Sequence, residues 1–280
     1  MTVEFRKAME AVGIRTRDSL IADGKLHRFH IDGDKSGTKD GWYVLYDDGV
    51  PAGVFGDWKE NTPHKWSAKN YRQLTPAERR EYLRRQEAVK IARNAEQARI
   101  YAEARDKAAY IWDNSLPAPA DHPYLLDREV KSHGLRLYKG ALVIPLYDCA
   151  GTLHSLQFID EDCNKRFLSG GRKKACHFFI EGEDESLCIA EGYATAASVH
   201  ALTGYPVITA FDAGNLLPVS KAMREKFPTR DIILCADNDI DKPQNIGLIK
   251  GTEAAQAIGA RLAYPYQGGD FNDLYREKTK

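Results

Sequence analysis

The sequence predicts an α/β protein. A parallel sheet flanked by helices fills residues 185–280. A basic subdomain (116–184), a long helix (74–115) and a small α+β unit (1–73) precede it. Three observations carry this prediction. From Ser186 onward, short apolar runs alternate with helical stretches: "LCIAE", "TAASVHAL", "PVITAF", "LLPVSKAMREKF", "DIILCAD", "GTEAAQAIGA", "RLAYPY". Strand–helix alternation at this spacing implies a parallel sheet joined by right-handed crossovers. The stretch "LTPAERREYLRRQEAVKIARNAEQARIYAEARDKAAYIW" has no glycine, and no proline after Pro76, which marks one long helix. Before residue 74 the chain instead alternates aromatic and polar residues, the pattern of a small sheet with one face covered.

Taken in order, the first element is a short helix, Val3 to Val12. The strings "LHRFHI", "GWYVLYDDGVPAGVFGDW" and "HKWSA" follow, with Asp48-Gly49 as a hairpin signal. Trp42, Trp58 and Trp66 cluster here with Tyr43 and Phe55. Two readings stay open: a sheet core, or outward platforms on which bases stack. Thr75 is an N-cap candidate for the long helix, Pro76 occupies the first helical position and Glu78 completes a capping box. At 1.5 Å per residue the helix would be on the order of 55 Å long. Its apolar residues (Tyr82, Val89, Ile100, Ile111) are sparse, so it reads as a rigid, basic, largely solvated connector. "NSLPAPADHP" is a linker. "PYLLDREVKSHGLRLY" reads as a short helix and turn, and "KGALVIPLYDCAGTLHSLQFID" as a hairpin. The loop "NKRFLSGGRKKACHF" holds Lys165, Arg166, Arg172, Lys173 and Lys174 and no acid.

Composition excludes several classes. A chain of 280 residues with 43% hydrophobic content builds a core without staples. Its five cysteines (Cys149, Cys163, Cys176, Cys188, Cys235) are odd in number and scattered, with no CxxC pair. That argues against a disulfide framework and against a zinc ribbon, so no zinc is expected. No apolar run approaches the roughly 18 residues needed to span a bilayer. The charged N-terminus lacks a signal-peptide core. The expectation is a cytoplasmic protein with no membrane partner. Net charge is zero but uneven: residues 59–110 carry 13 Lys/Arg against 7 Asp/Glu, and residues 181–280 carry 10 against 15. That distribution suits divalent cations at one place and an anionic polymer at another.

Ligands of open parallel sheets bind beyond the carboxyl ends of the strands. Two expected strands end in acids, at Glu191 and at Asp237. Alternation within "DND" sends Asp237 and Asp239 to the same side. "QGGDFNDLY" adds Asp270 and Asp273 after the last strand. A hard cation explains why such carboxylates coexist, and Mg²⁺ typically takes one or two of them while keeping waters for a phosphate substrate. Taken alone, "DNDID" also fits an acidic surface loop. A calcium loop fails, because Lys242 and Leu248 stand where Gly and Glu are required. No GxxxxGK[ST] occurs, which excludes the usual ATP-driven motor.

In order and spacing, "IAEGYATAAS", "LCADNDI" and "GGDFNDL" resemble the Toprim domain of DnaG-type primases, topoisomerases and some nucleases. The segment "GALVIPLYDCAGTLHSLQFIDEDCNKRFLSGG" is similar to the stretch that precedes this domain in DnaG-type primases. The resemblance covers Pro123 to Tyr275 and is nearest to phage and plasmid primase-like proteins of the TraC type. It implies a Toprim domain behind a primase-type basic subdomain, and primer synthesis on single-stranded DNA from NTPs. Glu191 would be general acid/base or metal ligand, Asp237 and Asp239 would bind Mg²⁺ or Mn²⁺, and Asp270 would complete the cluster. Lys165 and Arg166, with Arg172, Lys173 and Lys174, would contact nucleotide or template. Thr195 departs from the pattern, which has an acid there. The cysteine-free N-terminal unit replaces the usual zinc ribbon, and a helicase would be supplied in trans, in the bacterial host of a phage, plasmid or integrated element. The same acids leave room for a Toprim nuclease or for a catalytically weak single-strand-binding accessory protein.

Overall fold

The computed structural model describes residues 1–60, 62–183 and 185–279. The chain forms two compact units, Met1–Arg99 and Ile100–Lys280, divided inside the long helix. The boundary expected at residue 184 falls on Asp184, outside the described residues. Among the described residues no helix is long and apolar enough to cross a membrane.

The first unit packs helix α1 (Thr2–Ala11) on an antiparallel sheet of β1 (His27–Phe29), β2 (Gly41–Tyr46), β3 (Ala52–Asp57) and β4 (His64–Ser67), in the order β1-β2-β3-β4. Asp48-Gly49 turns the chain between β2 and β3, with Gly49 at φ 61°. Alternation along β2 sorts its residues to two faces. Tyr43 and Leu45 join Phe5, Met9, Phe29 and Phe55 in one core, while Trp42 and Val44 meet Val54 and Val89 in another. Val89 belongs to α2 (Pro76–Asp113), which starts with the expected capping box. Glu78 N donates to Thr75 Oγ1 (3.3 Å), and Thr75 N donates to Glu78 Oε2 (2.7 Å). Much of the helix's basic charge is spent locally: Arg85 is 8% exposed and its guanidinium binds Glu81 and Asp48.

In the second unit the end of α2 supplies Ala108 and Ile111 to a core with Val143, Leu156 and Phe158. These belong to an antiparallel sheet of β5 (Leu116–Pro117), β6 (Arg136–Tyr138), β7 (Ala141–Tyr147), β8 (Leu153–Ile159) and β9 (Lys165–Phe167). Helix α3 (Pro123–Arg128) lies between β5 and β6 in the chain. The remaining elements are β10 (Phe178–Ile180), β11 (Leu187–Ala190), α4 (Tyr193–Thr203), β12 (Val207–Thr209), α5 (Ala213–Lys226), β13 (Ile232–Cys235), α6 (Ile246–Ile258), β14 (Arg261–Ala263) and α7 (Phe271–Thr279). Their sheet has the order β10-β12-β11-β13-β14. Strands β11 to β14 run parallel, as the alternation predicts, but β10 pairs antiparallel with β12. Within residues 185–280 the strands are parallel as expected, and β10, from the segment before them, makes the whole sheet mixed. Its edge strand comes from the segment read as basic subdomain, where three residues are too few to show a period. The last strand stops at Ala263 rather than continuing through "YPY", since Pro265 has no N–H to extend the ladder.

Both faces of this sheet are covered. Leu187, Ile189 and Ile208 pack against Leu216, Val219, Met223 and Ala254 of α5 and α6. Cys188, Ala190 and Val207 pack against α4 and against Leu142, Ile144 and Leu146 of β7. Burial on both faces is why β11 reads as a continuous apolar run. The chain leaves β11 toward β12 on one side and then returns to place β13 on the other. The crevice between β11 and β13 is thus a topological switch point, the usual ligand position in such sheets.

Candidate active site

The register of β11 on β13 pairs Ala190 with Cys235, so Glu191 leaves its strand level with Ala236, and Asp237 follows one residue farther along at the switch point. After Cys235 the chain stays extended. Asn238 forms an isolated antiparallel bridge with Gly269: its N–H donates to Gly269 O (2.8 Å), and its carbonyl oxygen accepts from Gly269 N (2.9 Å). Asn238 turns inward, donating from Nδ2 to Pro265 O, while Asp237 and Asp239 line the cleft on the other side. The same bridge brings in the turn that carries Asp270. Glu191, Asp237, Asp239, Asp270 and Asp273 line one cleft of about 440 Å³. A larger surface hollow beside Glu183 and His200, about 700 Å³, contains none of these acids and has no comparable chemistry.

Crowding is visible in the acids' protonation. Burial, then the charges of Glu191, Asp270 and Asp239, push Asp237 from its usual 3.8 up to about 7. Burial and the neighbouring Asp212 raise Glu191 as well. Asp237 Oδ1 is buried with no hydrogen-bond partner. An orphaned buried oxygen among mutually repelling carboxylates is what a hard divalent cation satisfies, so the donor set fits Mg²⁺ or Mn²⁺. Among the described residues, however, no three of these acids already stand at metal-binding distance from one point. A cation here would therefore take part of its shell from water or substrate oxygens.

Asp270 is held more firmly than the other three. Its Oδ1 accepts from the backbone of Asn272 (2.7 Å) and Asp273 (2.9 Å), capping α7, and Asp273 Oδ2 accepts from Asp270 N. Oδ2 accepts from the buried Thr195 hydroxyl at 3.4 Å. Thr195, in the place of an acid, thus gives the cluster a donor instead of another negative charge.

The basic residues divide. Lys165 and Arg166 are neighbours on β9 and face opposite sides. Lys165 is exposed by surface area, yet its ammonium lies 5.7 Å over the Tyr124 ring among the acids. Desolvation and Arg128 lower its pKa, while Asp270, Asp237 and Glu191 pull the other way. Arg166 pairs across from Phe158 and lies over that ring at 4.6 Å, on the face away from the cleft. Lys173 forms an ion pair with Asp212, the N-cap of α5 and a neighbour of Glu191. Arg172 is bound to Asp148 (3.0 Å), which also holds His154. Lys174 is exposed. Trp42 is buried in the core and offers no stacking platform, whereas Trp58 and Trp66 are half-buried. Trp42 is 2% exposed, Trp58 tilts against it at 5.5 Å, and Trp66 meets the edge of Phe5.

Several supporting residues gave no sequence signal. Asn215 donates from Nδ2 to Cys176 O and Ala210 O and accepts from Ala175 N, fastening the basic loop beside Glu191. Asn245 accepts from Asp239 N and Leu248 N, joining the acid loop to α6. Phe211 has φ 77°, an outlying conformation for a bulky residue, held by its N–H on Glu191 O and its ring against Phe167. Gly247 and Gly251 let α6 approach: a Cβ on Gly247 would sit 3.0 Å from Asp237 Cβ, and one on Gly251 2.6 Å from Ala236 Cβ. "GLIKGTE" is a close-packing stripe, with no phosphate-loop pattern.

Residues 186–280 match the family model described as Toprim domain. Two Escherichia coli proteins, each named DNA primase TraC, are 35% and 33% identical over 94% of this chain. The chain spans only 26% and 19% of their lengths. Among solved structures, the Aquifex aeolicus primase (zinc-binding and RNA polymerase domains) is similar at 13% identity and a TM-score of 0.42, covering 98% of this chain and 81% of that one. The C-terminal part of the chain is a Toprim domain, and nearly its whole length is similar to DNA primase TraC.

Proposed function

We propose that the protein is a primase-like nucleotidyltransferase that makes short RNA primers on single-stranded DNA. The observation that carries the proposal is the meeting of Glu191, Asp237 and Asp239 in one cleft at the β11/β13 switch point, with Lys165 beside them. The similarity to DNA primase TraC supports primer synthesis as the reading among the reactions such a cleft could carry out. Glu191, Asp237 and Asp239 would hold Mg²⁺ or Mn²⁺, with Asp270 completing the cluster through Oδ2. When bound, the cation stabilises charge on the attacking 3′-oxygen and on the leaving pyrophosphate. Where Asp237 and Asp239 alone hold the cation, Glu191, whose proton affinity is raised by burial and Asp212, would instead take the proton of the primer 3′-hydroxyl. Lys165 and Lys173 bind the triphosphate, with Lys174 at the exposed end of the same loop. Arg166, on the outer face of β9, contacts the template strand, and Arg172 acts through Asp148 to fix the loop. NTPs, single-stranded DNA and a helicase supplied in trans are the partners this reading requires.

Incubation with single-stranded DNA, NTPs and Mn²⁺ tests it. Wild type is expected to yield short oligoribonucleotides, and Asp237→Asn or Asp239→Asn to lose on the order of a hundredfold or more of the rate. Undiminished synthesis by either variant, or degradation of labelled strands without NTPs in place of synthesis, would overturn the proposal.

A further inference from the structure

The acid cleft contains a cation of the chain's own. Lys242 Nζ lies 2.7 Å from Asp239 Oδ2, across a turn closed by Lys242 N donating to Asp239 O (3.1 Å). Lys242 lines the cleft with the acids, and Asp237 and Glu191 reinforce the field that Asp239 exerts on it. Unlike Lys165, which is packed over Tyr124, Lys242 has a side chain that is 66% exposed and, among the described residues, held by this pair alone. The stem is free to leave. An exposed Lys–Asp pair is weak, whereas a divalent ion carries twice the charge to the same carboxylate.

We propose that Lys242 is an exchangeable counter-ion: it occupies Asp239 while no divalent cation is bound, and once displaced it binds the phosphates of the incoming nucleotide. The inference rests on the reading of the cleft as a metal-dependent nucleotidyl-transfer site. Two consequences of opposite sign follow. Removing the ammonium frees Asp239 and tightens metal binding in the absence of nucleotide. The same change deprives the loaded cleft of a phosphate contact and weakens triphosphate binding.

Mn²⁺ titration of the full chain, read by the electron paramagnetic resonance of free Mn²⁺ at low ionic strength, tests this. It is followed by titration of a non-hydrolysable ribonucleoside triphosphate into the Mn²⁺-loaded protein. Lys242→Met is expected to bind Mn²⁺ about threefold to tenfold more tightly and the triphosphate more weakly by a similar factor. Lys242→Arg retains both interactions. Lys250→Met serves as control, since Lys250 pairs with Glu253 on α6 outside the cleft, and changes neither constant. Mn²⁺ binding that is unchanged or weaker in Lys242→Met, or two constants that move in the same direction, would overturn the inference and leave the active-site reading standing. A wild-type chain that binds no Mn²⁺ would overturn both.

Discussion

At the scale of single residues, Asp237 shows what the cleft costs the fold. Its pKa of about 7 lies above the usual 3.8, so between those values the folded chain binds a proton that the unfolded chain does not. Its contribution to stability therefore falls as pH rises from about 4 through about 7. In EDTA at pH 8, Asp237→Asn is expected to stabilise the protein, on the order of 2 kcal/mol, and to give no gain near pH 4. Thermal melts at the two pH values check this, and equal shifts at both would exclude the crowded carboxylate as cause. His177 runs the opposite way. Burial, then the charge of Lys226, lowers its pKa from 6.5 to about 4, so the unfolded chain binds the extra proton. The stability it contributes is present above about 6.5 and is lost as pH falls toward 4. His177→Phe should flatten the acid limb of the stability curve over that window.

At the scale of elements, the acids at strand ends and the same-facing pair in "DND" were legible because period-2 alternation and the strand-end rule are local. Their convergence was legible only as far as the neighbouring order of β11 and β13 could be assumed. The inversion of Lys165 and Arg166 was equally available from period 2, once "KRF" is read as strand instead of loop. What could not be read is long-range. The Asn238–Gly269 bridge, Asn215 across some forty residues, and the antiparallel β10 depend on partners that no local pattern announces. The tryptophans show the same limit, since aromatic alternation does not say whether both faces of a sheet are covered. Two substitutions test these elements. Asn215→Ala removes three hydrogen bonds at a buried position and should cost about 2 kcal/mol in urea denaturation, with a loss of primer synthesis as the basic loop loosens. Gly251→Val places carbon against Ala236 and should destabilise by about 1–3 kcal/mol. A Gly251→Val chain as stable as wild type would mean that α6 does not lie against the end of β13.

At the scale of the whole molecule, zero net charge conceals acids gathered at one switch point with basic side chains of β9 and the following loop set beside them. Single-strand binding carried by those bases should weaken steeply with salt, and Lys165→Ala with Arg166→Ala should reduce the slope of log K against log salt. In the proposed function Glu191, Asp237 and Asp239 hold the reaction's cation. The most direct measurement is the anomalous scattering of crystals soaked in Mn²⁺. A manganese peak is expected between the ends of β11 and β13, bounded by carboxylate oxygens of these three residues, with Lys242 withdrawn from Asp239. Manganese bound elsewhere, with these carboxylates unliganded at saturating concentration, would contradict it.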